Sequence, residues 1–119
     1  MITEFPVVYR GDIWMTNWNP GSGSEQEGYR PSLIIQSNAG SANPRYGNVI
    51  VVAISSKSIG TIPFHLFLPK DSDNGLTVDS YIKCEQILTI SKNRLMKKIG
   101  HLPEDVTNTV FQTITTLLR

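Results

Sequence analysis

The chain is poor in the residues that build disulfide frameworks and metal centres: one cysteine and two histidines in 119 residues. A lone thiol, Cys84, cannot close an internal disulfide, which points to a reducing, cytoplasmic compartment. One Cys and two distant His, His65 and His101, fall short of the ligand count of a zinc site, so neither metal nor other cofactor is expected. No hydrophobic run approaches a membrane span. Met1-Ile2-Thr3-Glu4-Phe5 lacks the basic start and apolar core of a signal peptide. No GxxxxGK phosphate loop and no internal repeat occur. A strong excess of one charge is missing too: the formal net charge is +1. A nucleic-acid partner would therefore have to be met by a local cluster of Lys and Arg rather than by the whole surface.

What remains is an ordinary globular composition, 39% hydrophobic and 18% charged, in one domain spanning 1–119 that is long enough to bury a core. Asp12 to Asn17 reads as a strand. Residues 18–29 read as a polar loop punctuated by Pro20, Gly21, Gly23 and Gly28. Pro31 to Gln36 fits a buried strand, and Ser37 to Gly47 a second loop. Asn48 to Ile54 is the strongest strand, because Val49, Ile50, Val51 and Val52 are β-branched and consecutive. Phe64 to Leu68 is a further apolar run. Asn74-Gly75 is the sharpest hairpin signal, and 78–84 and 85–90 read as one long or bent strand pair. Ser91 is expected to cap a short helix ending near Gly100. Pro103, Glu104 and Asp105 open a final helix, with Val106, Val110, Ile114, Leu117 and Leu118 on one face. Periodicity alone supports a mostly β (α+β) domain with a C-terminal helix, to which the Ser91 cap adds the short helix.

The densest information lies between Arg10 and Gln36. Arg10-Gly11-Asp12-Ile13-Trp14 opens it, a polar segment ends in Glu25, and Tyr29-Arg30-Pro31-Ser32-Leu33-Ile34-Ile35-Gln36 closes it. Further on stand Ala53-Ile54-Ser55-Ser56 and Glu85-Gln86-Ile87-Leu88-Thr89-Ile90. Five motifs in this order and spacing, over residues 9–103, resemble the MazF/PemK family of bacterial toxins, which are metal-independent endoribonucleases. The resemblance implies a small SH3-like, partly open β-barrel that forms a homodimer, an architecture shared with CcdB. It also implies single-stranded RNA as substrate, and a cognate antitoxin whose disordered acidic tail lies along the dimer groove.

Metal-free RNA cleavage asks for a group to stabilise the phosphoryl oxygens and another to orient them. The planar guanidinium of an arginine suits the first role and a hydroxyl the second. By resemblance Arg30 matches the family's catalytic arginine. Ser55 occupies a position that is usually threonine, keeping the hydroxyl and losing the stiffness of a β-branched side chain. Glu25 matches an acidic loop position, either facing a base or simply solvated. Ser24 and Ser56 flank these motifs and complete a substrate-facing set with Trp18, His65 and Gln86. Each has an alternative: Trp18 could stack on a base or anchor its loop, His65 could be a satisfied core or edge histidine, and Gln86 could tie strands together. Arg30 could instead pair with a carboxylate such as Asp12 or Glu85. Lys92, Arg94, Lys97 and Lys98 form a basic run, expected as a solvated face with phosphate contact as the alternative. Two other functions stand beside cleavage. A gyrase-poison-like binder is disfavoured, since that family ends Trp-Gly-Ile and this chain ends Leu117-Leu118-Arg119. An RNA- or protein-binding barrel without catalysis is the third reading.

Overall fold

The computed structural model describes residues 4–19, 28–58 and 61–119. Its described strands are β1 (Asp12–Asn17), β2 (Tyr29–Ile34), β3 (Asn48–Ser55), β4 (His65–Leu68), β5 (Ser80–Ser91) and β6 (Leu95–His101); α1 (Asn38–Ser41) and α2 (Glu104–Leu117) are helical. The strands form one antiparallel sheet in the order β4-β5-β3-β2-β1-β6.

The central strand explains why the sheet curls. Along β3, Val52 and Ile54 enter a cluster with Leu33, Ile82 and Leu102, covered by Val110 and Ile114 of α2. The alternate residues Val49 and Val51 enter a second cluster with Val8, Trp18, Ile34 and Ile90. Successive strand residues point to opposite faces, so a run apolar at nearly every position must be covered on both sides. The β3–β5 register shifts between Val52 and Ala53, a bulge that bends the 12-residue β5. The bent strand answers the expectation of one long or bent pair.

The two edges of the sheet are brought together by the connection between β4 and β5. The His101 N–H donates to Asp73 O at 2.9 Å, and a side chain at Gly75, whose φ is +70°, would sit 1.9 Å from Ile99 O. Buried Asn74 organises this connection: its Oδ1 accepts from the N–H groups of Asp71 and Leu76, and its Nδ2 donates to Pro69 O. Asn74-Gly75 therefore makes a turn, within a long crossing rather than a two-residue hairpin. The result is the partly open barrel that was expected.

The segment after Ser91 departs from expectation. Ser91 Oγ does accept from Asn93 N–H, but it caps only the three-residue 3-10 turn Lys92–Arg94. The chain then runs as β6 beside β1 rather than as a helix to Gly100. The reason is tertiary: β1 presents an unpaired edge, and a side chain at residue 100 would collide with Asn74 backbone. Gly100 serves that close approach. In α2, four exposed threonine hydroxyls bond back to the carbonyl four residues earlier, as Thr109 does to Asp105 O at 3.1 Å. Buried Thr107 joins Val110 and Ile114 on the packed face, whereas Leu117 and Leu118 are exposed.

Candidate active site

Arg30 lies on β2 one residue inside the strand, half-buried, and Ser55 ends β3, buried. The β2–β3 register pairs Ser32 with Ala53. Beyond that pair β2 runs on to Arg30 and β3 to Ser55. Arg30, Ser55 and Ser56 line one cleft of about 170 Å³. That is well below the ~300–1,000 Å³ of sites that enclose a whole small molecule. It suits a linkage of a longer ligand that lies across the opening.

The Ser55 hydroxyl is oriented. Its Oγ accepts from the Lys57 N–H at 3.1 Å, which occupies a lone pair and leaves the hydroxyl hydrogen able to turn toward a ligand. Asp12 and Glu85, the carboxylates considered as partners for Arg30, are engaged elsewhere. Buried Asp12 accepts from Tyr9 N–H (2.9 Å) and pairs with His101 (2.9 Å) and Lys98 (3.3 Å). Glu85 pairs with His65.

The other expected site residues divide. Ser56 is exposed at the cleft rim. Trp18 is buried, and its indole Nε1–H donates to Arg30 O at 3.2 Å. Packed into the second core, the indole makes the kind of contact that the loop-anchoring alternative describes. His65 is away from the cleft. Its Nδ1 meets Ser58 Oγ at 2.9 Å, its Nε2 meets Glu85 at 2.8 Å, and its side chain is 6% exposed, as in the satisfied-histidine alternative. Gln86 sits half-buried at the β5 bulge, also outside the cleft lining. Ser24 and Glu25 lie outside the described residues.

The cleft also contains residues that the sequence did not single out: Tyr29, Thr77, Val78 and Ser80. Three of them arrive through the long β4–β5 crossing, which no local pattern announces. Tyr29 stood beside Arg30 in the sequence and is now a largely exposed ring at the cleft, well placed for stacking. The basic run is corrected as well. Lys92 is fully buried, with Nζ donating to Asn43 O at 3.0 Å and Gly40 O at 3.4 Å. Burial lowers its pKa from the usual 10.5. Arg94 is turned onto main-chain carbonyls, and Lys97 and Lys98 remain exposed. No cluster of metal-ligating side chains occurs among the described residues.

An open antiparallel barrel with an arginine and a hydroxyl lining one cleft defines a small barrel with a polar site. The sequence profile of the PemK-like, MazF-like toxins of type II toxin–antitoxin systems matches residues 9–118, and the chain belongs to that family. The curated Endoribonuclease MazF of Staphylococcus saprophyticus is 42% identical over 99 residues, covering 82% of this chain and 80% of the relative. The crystal structure of MazF from Deinococcus radiodurans superposes with a TM-score of 0.79 at 24% identity, over 95% of this chain and 97% of that one. An endoribonuclease from a mycobacterial species, solved in complex with its cognate antitoxin, gives 0.73 at 23% identity, over 94% and 95%. At such identities the structures speak for the fold.

Proposed function

We propose that this chain is the endoribonuclease toxin of a type II toxin–antitoxin pair, cutting single-stranded RNA at a short motif without a metal. The observation that carries the reading is the meeting of Arg30 and Ser55 at one cleft, in a family member 42% identical to a curated endoribonuclease. Single strands are the natural target, because their unstacked bases can be splayed out and read. The 2′-oxygen attacks the adjacent phosphorus and gives up its proton to a base. The bond from phosphorus to the 5′-oxygen breaks, and that oxygen takes up a proton. The products are a 2′,3′-cyclic phosphate and a 5′-hydroxyl. Arg30 stabilises the charge gathering on the phosphoryl oxygens through paired N–H donors. Ser55, with its Oγ held by Lys57 N–H, donates its hydroxyl hydrogen to the same phosphate. Tyr29 and Ser56 sit where a neighbouring nucleotide would pass.

In this reading the toxin works in the cytoplasm as a homodimer and an antitoxin with a disordered tail silences it; the mycobacterial endoribonuclease was likewise solved with its cognate antitoxin. No helix among the described residues is long and apolar enough to cross a membrane. Ordering such a tail carries an entropic cost that extensive apolar burial must offset.

The test is incubation of the purified protein with a long single-stranded RNA in EDTA, with the cut ends mapped. Discrete cuts bearing cyclic phosphate ends are expected. Arg30→Ala should abolish them, and Ser55→Ala should slow them by about 10²-fold, the scale of one lost transition-state donor. Intact RNA across varied sequences would leave a binding barrel. Cutting that EDTA stops would overturn the metal-free chemistry.

A further inference from the structure

The 3-10 turn Lys92–Arg94 stands between two loops, and its two cationic side chains point opposite ways. Lys92 donates to carbonyls in and just after α1, at Gly40 and Asn43. Arg94 Nη1 donates to Asn17 O at 3.1 Å and to Asn19 O at 2.6 Å. Those carbonyls stand at the neck of the loop that separates β1 from β2. Across the neck, Trp18 N–H donates to Gly28 O (2.8 Å) and Gly28 N–H to Asn19 Oδ1 (2.8 Å). Asn19 N–H donates to Asn17 Oδ1 at 3.0 Å. The neck leads into the active cleft by two routes: Thr16 pairs with Arg30 across β1 and β2, and the Trp18 indole donates to Arg30 O.

We propose that Arg94 is a positioning residue for cleavage: by holding the carbonyls of Asn17 and Asn19 it fixes the loop neck, and through the neck the backbone of Arg30. The inference rests on the endoribonuclease reading. A guanidinium donating to neutral carbonyls forms charge-assisted bonds in a fixed fork geometry. It grips main chain, so its hold does not depend on the side chains of the loop. No purely solvated face would spend one nitrogen on two carbonyls brought from 75 and 77 residues away. The neck also explains the positive φ of +76° at Gly28, where the chain must reverse into β2 while its N–H and C=O both close the neck.

The experiment uses the full chain and an RNA oligonucleotide carrying a site that the wild type cuts. Arg94→Met removes the donors and keeps an apolar stem. Arg94→Lys keeps a charge and a donor. Single-turnover rates and KM are measured at 50–200 mM salt, as roughly the range over which phosphate contacts are read. Amide exchange of Trp18 and Gly28 is followed by NMR. Expected are faster exchange at both amides and a fall in kcat of about tenfold for Arg94→Met, a displacement-scale loss, with partial recovery in Arg94→Lys. The salt slope of 1/KM should hold. A slope reduced by about 0.7, the value of one lost phosphate contact on a single strand, would overturn positioning in favour of direct contact. Unchanged exchange, or unchanged kcat, would also overturn it. If Arg94→Met does not fold, Asn19→Ala opens the same neck from the loop side and carries the same expectations. A wild type that leaves every RNA intact would sink the activity and the positioning role together, whereas unchanged exchange in an active enzyme sinks the clasp alone.

Discussion

Ser55 shows how a single residue can keep a role with less restraint. A hydroxyl is present, its oxygen is held by Lys57 N–H, and only the methyl that would restrict χ1 is missing. Ser55→Thr should therefore raise the single-turnover cleavage rate by about twofold through fewer competing rotamers. A loss of activity instead would mean that the buried position has no room for the methyl. Arg30 and Ser55 were put forward by resemblance from their motifs, and the fold sets both at one cleft. Trp18 was only half legible. The sequence set it at a loop base, but burial decides between stacking and anchoring, and burial depends on residues as distant as Val8 and Ile90.

At the scale of elements, the Lys92–Arg94 turn is where local reading failed. Lys-Asn-Arg after a serine looks like a helix start with a solvated basic face. The chain instead turns once and continues as β6, because pairing with β1 satisfies more backbone than a helix in that place could. Lys92 is the consequence, a buried ammonium held by carbonyls and lying 5.9 Å from the Tyr46 ring centre. Its lowered pKa has a defined linkage. Between the lowered folded value and the usual 10.5, the unfolded chain binds more protons than the folded one, so stability rises with pH through that window. Below it the full cost of burying the charge persists. The stability of wild type minus that of Lys92→Met, from urea unfolding between pH 7 and 10, should therefore grow as pH rises. A difference that is flat or falls would show that the ammonium is not penalised by burial. Gly75 belongs to the same scale. With φ at +70° and Ile99 O in the way of a side chain, Gly75→Ala should cost roughly 1–3 kcal/mol, read in the same urea titration. It should also disturb the cleft that Gly75 lines.

For the molecule as a whole, the decisive feature is one sheet buried on both faces, with its edges drawn together by the β4–β5 crossing. Cys84 reports on this integrity. It is fully buried in the core beneath α2, and burial, followed by the charge of Glu85, pushes its pKa up to about 11. A thiol held protonated and sealed should resist maleimide or disulfide reagents at pH 8 and react at the rate of global unfolding. Labelling in seconds in native buffer would mean that the α2-covered core opens locally. Because the raised value favours the folded state only while the thiol stays protonated, that contribution is complete below the unfolded value of 9.0. It is lost as pH rises through the folded one. It is common to wild type and Lys92→Met, so it cancels in the comparison above.

The sequence by itself determined the mostly β character, the positions of β1 and β3, the start of α2, and the motifs that put Arg30 and Ser55 forward. These rest on β-branched runs, on a proline followed by acidic residues, and on motifs, all of which act within a few residues. Tertiary structure alone decided that β6 is a strand, that Lys92 is buried, that Arg94 grips the neck of a distant loop, and that Thr77, Val78 and Ser80 share the cleft with Arg30. Those outcomes depend on which backbone groups and apolar faces remain unsatisfied once the rest of the chain has folded, and that demand is set by contacts between residues far apart in the chain.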